Sequence, residues 1–315
     1  MNQPIVSVLM TAYNAQRYIA LAIESILVQT LTDFELIIID DGSRDRTAQV
    51  VCHYLNRDRR LSFISGQHRG IAAARNELLS RAKGELLAVM DADDIALPER
   101  LQLQVDFLAN HPEVVCVGSA QQWIDEAGRY LWVHPEPQLD RDIQPSLLVG
   151  KTCINNSSAM MRREAVIDAG GYDESLAQAE DLDLFLRLGE IGQLANLSDP
   201  LIQYRQHANS ISDRRHLEHL QLQKLVCERA WQRRGITSLT MENKPWRPLD
   251  RRSRHRSVTQ YGWLFFNRGD RSAAIAYGFK ALGILPWSQQ SWALLISALV
   301  KPLPPPHEFQ SFDFR

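Results

Sequence analysis

The first hundred residues alternate between short apolar runs and segments with helical spacing. The apolar runs are rich in β-branched residues and lie at 5–10, 36–39, 61–64 and 86–90. The helical segments follow them, near 17–29, 46–55, 71–82 and 98–109. Such alternation predicts right-handed βαβ units and a mostly parallel sheet. Because the runs are almost continuously apolar, both faces of the sheet are expected to be covered by helices. The predicted fold class is therefore α/β.

The alternation weakens beyond residue 117. The sequence Glu126-Ala127-Gly128-Arg129 predicts a turn between two antiparallel strands, and residues 154–161 are a candidate further strand. From about His216 onward the pattern is helical, with breaks at Gly269-Asp270 and Pro286-Trp287. We therefore predict an α/β domain at residues 1–212 and an α-helical C-terminal region at residues 213–315.

Composition excludes several classes of protein. The 315 residues carry 37 acidic and 35 basic side chains, a balance that does not favour a nucleic-acid-binding protein. The four cysteines form no CxxC pair, which argues against a zinc site or a disulfide framework and favours a reducing compartment. The N-terminus does not resemble a signal peptide, and the apolar stretch 292–300 is far below the ~20 residues of a membrane helix.

These features predict a cytoplasmic protein. Arg251, Arg252, Arg254 and Arg256 form a local basic run. A solvated surface is the usual explanation for such a run, and peripheral contact with anionic lipid at the inner face of the membrane is the alternative. Nothing in the sequence sets the oligomeric state.

Polar residues follow each of the first four predicted strands. They read TAYN at 11–14, DDGS at 40–43, GQHRG at 66–70 and DADD at 91–94. The carboxyl ends of parallel strands share one edge of a sheet, where ligands bind in a crevice. The sequence thus places an aromatic ring, several carboxylates and a Gly/Arg loop around one cleft.

This set of side chains suits a nucleotide that carries a diphosphate. Tyr13 could stack on a base, and Asp40 or Asp41 could accept a hydrogen bond from a base N–H or a ribose hydroxyl. Asp91 and Asp93 could hold a divalent metal that bridges phosphate oxygens. Mg²⁺ and Mn²⁺ favour carboxylate and water ligands and commonly use only one or two protein carboxylates.

Each motif alone has a simpler explanation. The DDGS segment could be only a capped turn, and an isolated DxD is common. The acids at 180–183 could be favoured only by the dipole of the helix that they begin. The sequence contains neither GxGxxG nor GxxxxGK[ST], so a Rossmann dinucleotide site and a P-loop are not supported. The recurrence of polar residues at four successive strand ends favours the functional interpretation.

The motifs together resemble the family 2 glycosyltransferases of the GT-A fold. The resemblance covers residues 4–212 and rests on VSVLMTAYNAQRYIALAIESILVQT, DFELIIIDDGSRDRT, RGIAAARN, GELLAVMDADD, GGYDE, AEDLDLFLRL and YRQHANSIS. It implies inverting transfer of a sugar from a nucleotide-diphosphate donor to an acceptor hydroxyl.

The resemblance also implies roles for individual residues. Asp181 matches the catalytic base, and the neighbouring Glu180 is expected to orient it or to bind the acceptor. Asp93 and Asp91 match the metal–diphosphate motif, and His207 is a third candidate metal ligand; Asp94 is expected only to brace the following loop. The positions expected to contact the nucleotide are Thr11, Ala12, Tyr13, Asp40, Asp41, Arg75 and Asp91.

Two features of the family's processive synthases are missing. No QxxRW motif follows Glu180-Asp181, and no candidate transmembrane segment follows it either. We therefore predict transfer of a single sugar. The expected sugar is a hexose or N-acetylhexosamine, the expected donor is a UDP-sugar, and the expected acceptor is a glycan or lipid-linked molecule of cell-surface polysaccharide synthesis.

Two alternative functions remain. A sugar-nucleotide pyrophosphorylase would need a Gly-rich basic loop where this chain has TAYNAQRY. A non-catalytic nucleotide-sugar-binding module would keep the cleft without turnover.

Overall fold

A computed structural model describes residues 3–207, 216–241 and 250–304. Within these residues, nine strands form one sheet with the order β3-β2-β1-β4-β8-β6-β9-β5, and β7 pairs with β6. The strands are β1 (Val6–Ala12), β2 (Phe34–Asp40), β3 (Leu61–Ser65), β4 (Leu86–Asp91), β5 (Ile95–Ala96), β6 (Val114–Ile124), β7 (Tyr130–His134), β8 (Met160–Arg162) and β9 (Gln193–Arg205). Strands β1 to β4 run parallel, as predicted, and β5, β7 and β8 add antiparallel pairs.

Helices cover both faces of this sheet. They are α1 (Ile19–Leu27), α2 (Thr47–Leu55), α3 (Ile71–Arg81), α4 (Arg100–Asn110), α5 (Asp140–Leu148), α6 (Arg163–Asp168), α7 (Glu180–Leu188) and α8 (His216–Arg233). Side chains alternate between the faces of a strand. Val8 of β1 accordingly packs in one core with α1, α2 and α4, and Leu9 packs in the other with α3, α5, α7 and α8. The α/β class predicted from the sequence is confirmed.

The predicted strand at 154–161 is wrong over its first half. Asn156–Ser158 form a 3₁₀ turn, and β8 begins only at Met160. The hydroxyl of Ser158 donates to the carbonyl oxygen of Asn155 at 2.9 Å. Asn and Ser side chains compete for backbone hydrogen bonds in this way, and here they replace a strand by a turn.

The chain divides into two compact units, Met1–Asn243 and Lys244–Arg315. We predicted the division at residues 212–213, which lie outside the described residues. Helix α8 belongs to the first unit because its buried residues Val226, Cys227 and Ala230 join the core that contains α7. The second unit contains three helices among its described residues, α9 (Arg251–Asn267), α10 (Arg271–Ile284) and α11 (Gln289–Val300). The breaks between them fall at the two predicted positions.

Two expectations from composition can be compared with this structure. All four cysteines are free thiols, and three of them are buried. No helix in the described part of the chain is both long enough and apolar enough to span a bilayer.

Candidate active site

The carboxyl ends of the first strands meet, as the sequence predicts. In the register of the sheet, Ala12 of β1 lies beside Asp40 of β2, and Thr11 lies beside Asp91 of β4. Ala12 is buried, and Thr11 is partly exposed. Tyr13 follows at the strand end with 44% of its surface exposed. The predicted nucleotide-binding segments therefore form one continuous edge.

The Asp40-Asp41-Gly42-Ser43 segment is held in a tight loop. Asp40 accepts a hydrogen bond from the backbone N–H of Ser43 at 3.0 Å. Gly42 has φ +74°, and a Cβ there would lie 2.6 Å from the backbone nitrogen of His68. Only glycine combines this conformation with so close an approach. The segment is a capped turn, as the simpler interpretation proposed, but the turn packs against the loop that follows β3.

Asp41 organises that second loop. Its two carboxylate oxygens accept hydrogen bonds from the backbone N–H groups of Arg69 at 2.7 Å and Gly70 at 3.0 Å. His68 lies on the other side, with Nδ1 2.7 Å from Asp41 Oδ2, and its ring stacks on Tyr13 with centroids 4.4 Å apart. We predicted no role for His68 from the sequence, although it lies at a strand end. Tyr13 and His68 form a stacked aromatic pair at the mouth of the predicted nucleoside site.

The three acids after β4 occupy different environments. Asp93 has a side chain 35% exposed, whereas Asp94 is buried and accepts a hydrogen bond from the backbone N–H of Arg205 at 2.9 Å. Burial raises the pKa of Asp94 well above its ordinary value, and the negative charges of Asp93 and Asp91 add to that rise. Asp94 therefore links its loop to β9, and the adjacent Asp91 and Asp93 form an acidic pair whose mutual repulsion a cation would relieve.

The end of β9 brings a histidine to this cluster. Arg205 donates from its side chain to the carbonyl oxygen of Asp93 at 2.8 Å, which ties β9 to the acidic loop. Two residues later, Nε2 of His207 lies 2.8 Å from Oδ2 of Asp93. The sequence did not single out Arg205, and its position within YRQHANSIS was the available signal. Residues 208–212 of that segment lie outside the described residues.

Arg75 of α3 links two acids from distant parts of the chain. Its guanidinium forms an ion pair with Glu180, and it lies 3.4 Å from Asp91 Oδ1. Arg75 and Glu180 are both buried. Burial raises the pKa of Glu180, and the adjacent Arg75 opposes that rise. Since the side chain of Glu180 is paired with Arg75, it is suited to position the neighbouring Asp181 rather than to accept a substrate proton. Arg75, predicted to frame the nucleotide, lies between these carboxylates.

Asp181 lies in the first turn of α7 and is partly exposed. The residue that precedes the helix acids, Ala179, has φ +63°, a left-handed conformation that is costly for a residue with a Cβ. Such strain often marks a functional segment. Burial raises the pKa of Asp91, and the charges of Asp93 and Asp181 add to this rise against the effect of Arg75. Asp181 is therefore close enough to Asp91 for their charges to interact.

Two residues of the 3₁₀ turn contact Asp91 at this edge, and neither was marked by a motif in the sequence. The amide nitrogen of Asn156 donates to Asp91 Oδ1 at 3.2 Å, and the hydroxyl of Ser157 accepts from the backbone N–H of Asp91 at 3.0 Å. Among the described residues, the buried Oδ1 of Asn156 and Oδ2 of Asp94 have no hydrogen-bond partner. Oxygen acceptors without donors are therefore concentrated beside Asp91 and Asp93.

The donor atoms fit a hard divalent cation. In the described part of the chain, no three His, Cys, Asp or Glu side chains are arranged as a complete metal site. Asp93 and His207 are adjacent, however, and a carboxylate with an imidazole suits Mn²⁺. Mg²⁺ and similar ions commonly take one or two protein ligands and complete their coordination with water and substrate phosphates.

Comparison with known proteins identifies the family. The model of Glycosyl transferase family 2 matches residues 7–170. The O-antigen biosynthesis glycosyltransferase WbnJ of Escherichia coli is 31% identical over 209 residues, which cover 65% of this chain and 81% of WbnJ. An uncharacterised glycosyltransferase of Methanocaldococcus jannaschii is 34% identical over 191 residues, 59% of this chain and 65% of that protein. The chain thus spans slightly less than two thirds of the archaeal relative's length. The chain belongs to glycosyltransferase family 2.

Solved structures share the fold. Staphylococcus aureus TarS in complex with UDP-GlcNAc aligns with a TM-score of 0.54 and 17% identity, over 93% of this chain and 79% of that chain. The mannosyltransferase PcManGT of Pyrobaculum calidifontis, in complex with GDP-Man and Mn²⁺, aligns with a TM-score of 0.54 and 19% identity, over 96% and 83% of the two chains. The resemblance drawn from the motifs, including the GT-A type of fold, is confirmed.

Proposed function

We propose that this protein is a metal-dependent, inverting glycosyltransferase that moves one hexose or N-acetylhexosamine from a UDP-sugar to a hydroxyl of a glycan or lipid-linked acceptor. The observation that carries the proposal is the placement of Asp181 on α7, beside the Arg75–Glu180 ion pair and within electrostatic range of Asp91. One partly exposed carboxylate thus lies next to an edge whose residues suit a nucleotide diphosphate.

The proposed reaction uses Asp181 as general base. Its carboxylate takes the proton of the acceptor hydroxyl as that oxygen attacks the anomeric carbon, for which the two oxygens must lie ~2.6–3.2 Å apart. The bond between the anomeric carbon and the phosphate oxygen breaks, and the nucleoside diphosphate leaves from the opposite face with the bonding electrons. Configuration at the anomeric carbon is therefore inverted. Glu180, fixed by Arg75, holds the first turn of α7 in position.

The remaining residues hold the donor. The nucleoside is proposed to lie against Tyr13, with Thr11, Ala12, Asp40 and Asp41 shaping its site. Asp93 and His207 would hold Mg²⁺ or Mn²⁺, with Asp91 beside them, and the bound ion would stabilise negative charge on the leaving diphosphate. These residues lie between positions 11 and 207, so we assign catalysis to the predicted 1–212 segment.

The biological setting is also a proposal. WbnJ is named for O-antigen biosynthesis, which supports a role in cell-surface polysaccharide synthesis. We propose a cytoplasmic location at the inner face of the membrane, where a lipid-linked acceptor would be reached. The basic run at residues 251–256 would supply the peripheral contact.

A donor screen tests this proposal. Calorimetric titrations with UDP-glucose, UDP-N-acetylglucosamine and GDP-mannose, each with and without Mn²⁺, should show metal-dependent binding of a UDP-sugar. A separate assay of hydrolysis in water should show slow release of UDP from the same donor. Binding without turnover for any acceptor would favour the non-catalytic module. Formation of a nucleotide sugar from a nucleoside triphosphate and a sugar 1-phosphate would favour the pyrophosphorylase.

A further inference from the structure

Four aromatic side chains lie together on one face of strands β6, β7 and β9. Trp123 is paired in register with Trp132 on β7 and with Tyr204 on β9. The ring centroids of Trp123 lie 5.0 Å from Trp132, 5.2 Å from His134 and 5.8 Å from Tyr204. All four residues are partly exposed. We refer to Trp123, Trp132, His134 and Tyr204 as the aromatic shelf.

A polar group borders the shelf, with Gln121 at its centre. The carbonyl oxygen of Gln121 accepts from the indole N–H of Trp123 at 3.2 Å and from the amide of Asn155 at 3.0 Å. The amide nitrogen of Gln121 donates to Glu136 at 2.7 Å. These bonds fix Glu136 and Asn155 at the border of the aromatic shelf.

The polar border retains hydrogen-bonding capacity. The side chain of Glu136 is only 6% exposed, and Gln121 is its hydrogen-bond donor among the described residues, with His134 Nε2 3.8 Å away. The side-chain oxygen of Asn155 is buried and has no partner within the described part of the chain. A buried carboxyl group and a buried amide oxygen without sufficient donors are costly, unless a ligand supplies hydroxyl or N–H groups.

The shelf connects to the predicted active site through two adjacent residues. Asn155 bonds to Gln121, and Asn156 donates to Asp91 Oδ1 at 3.2 Å. Asn155 and Asn156, adjacent in the chain, therefore link the border of the shelf to Asp91 at the acidic edge. A ligand that spans both would place one part near Asp91 and another over Trp123.

A pyranose ring matches this chemistry. It has an apolar face of C–H bonds that packs on aromatic rings, and a rim of hydroxyl groups that donate to carboxylate and amide oxygens. The donor sugar is bonded directly to the diphosphate and would lie nearest Asp91 and Asp93. A ring at the shelf would be separated from Asp91 by the Asn155–Asn156 pair.

We propose that the aromatic shelf, with Glu136 and Asn155, is the subsite for a sugar ring of the acceptor glycan. The proposal rests on the proposed glycosyl transfer and adds that the acceptor is a saccharide, recognised by ring stacking and by hydroxyl donation to Glu136. The shelf fixes acceptor choice, whereas the strand ends bind the donor.

Saturation-transfer NMR on the full chain tests the subsite directly. The probes are the methyl glycosides of glucose, galactose, mannose, N-acetylglucosamine and N-acetylgalactosamine, without donor. At least one glycoside should receive saturation, and its affinity should fall about tenfold in Trp123→Ala. The isosteric Glu136→Gln should weaken binding in the same direction without removing a packed ring. The proposal would be overturned if no glycoside received saturation, or if both variants bound the glycosides as tightly as the wild type does.

Matched controls and a donor readout separate this proposal from the proposed function. Trp292→Ala removes a partly exposed tryptophan of α11, and Glu113→Gln neutralises an exposed acid just before β6; both should bind the glycosides as wild type does. In Trp123→Ala and Glu136→Gln, the affinity for the glycosides should fall by a larger factor than the rate of donor hydrolysis in water. A selective loss of donor hydrolysis in these variants would instead place the donor sugar on the shelf and overturn the acceptor assignment. A wild type that binds glycosides but no nucleotide sugar would contradict the proposed function alone.

Discussion

Nε2 of His207 lies 2.8 Å from Oδ2 of Asp93, although 114 positions separate the two residues. The contact depends on Arg205, whose side chain donates to the carbonyl oxygen of Asp93 and whose backbone N–H donates to the side-chain carboxyl of Asp94. These two bonds fix the end of β9 against the acidic loop. Asp93 is one-third exposed, and the His207 side chain is 10% exposed. An acid and an imidazole thus lie together at an accessible position beside Asp91.

His207→Ala and Asp93→Asn should each weaken Mn²⁺ binding by at least the roughly 10–100-fold that is typical of changes in the outer shell of a metal site, because each removes one of two direct protein donor groups. The measurement is a titration of Mn²⁺ followed by electron paramagnetic resonance, in the presence of UDP. His111→Ala is the matched control, since His111 lies 3.2 Å from Glu113 in a comparable but exposed pair. Unaltered Mn²⁺ affinity in His207→Ala would exclude His207 as a ligand.

Arg75→Met should lower the free energy of unfolding by about 3–5 kcal/mol, because it leaves Glu180 and Asp91 without their buried counter-charge. Arg81→Met on the same helix is the control. Arg81 pairs with Glu77 at the surface, with 54% of its side chain exposed, and its loss should cost less than about 1 kcal/mol. Urea unfolding of both variants provides the comparison. Equal destabilisation would show that the Arg75–Glu180 pair has no special structural role.

Glu136 should make stability depend on pH. Burial raises the pKa of Glu136 from 4.5 to about 8, against the effect of the hydrogen bond from Gln121. An acid that keeps its proton in the folded state stabilises that state below its unfolded pKa, and this stabilisation is lost as the pH rises through the folded pKa. The free energy of unfolding of the wild type, relative to Glu136→Gln, should therefore fall by up to roughly 4 kcal/mol between pH 4.5 and 8. Urea unfolding at several pH values measures this difference, and a difference independent of pH would contradict it.

Gly42→Ala should weaken UDP binding and destabilise the fold by ~1–2 kcal/mol. The new Cβ would lie 2.6 Å from the backbone nitrogen of His68, at a residue with φ +74°. Gly66→Ala, in the loop that approaches Gly42, is the control because a Cβ there meets no atom within 4 Å. Calorimetric titration with UDP compares the two. Equal UDP affinity in both variants would show that the turn at Gly42 does not contribute to the nucleotide site.

The sequence predicted the first half of the molecule well, and the reason is physical. Continuous apolar strands, helices with clear spacing and polar strand ends are local signals, and β1 to β4 follow them closely. No such signal marked Asn155 and Asn156, because their importance comes from contacts with residues far away in the chain. Ala179 is similar, since its left-handed conformation is imposed by the surrounding structure rather than by its own preference.

The same limit applies to the acidic pair that begins α7. Spacing could not show that Glu180 is committed to Arg75, 105 positions earlier, while Asp181 is left partly exposed. The difference between the paired Glu180 and the partly exposed Asp181 becomes visible only in the folded structure, where α3 and α7 lie together. It makes Asp181 the residue on which the proposed chemistry depends.

Asp181→Asn removes the proposed general base and leaves the donor site in place. Single-turnover transfer should fall by about 10²–10⁴-fold, because the base is lost, whereas calorimetric binding of the UDP-sugar with Mn²⁺ should match the wild type. Asp142→Asn, an exposed acid in the first turn of α5, should leave both quantities unchanged. Loss of transfer with intact donor binding in Asp181→Asn is the predicted result. Full transfer activity in that variant would contradict the assignment of Asp181 and the mechanism built on it.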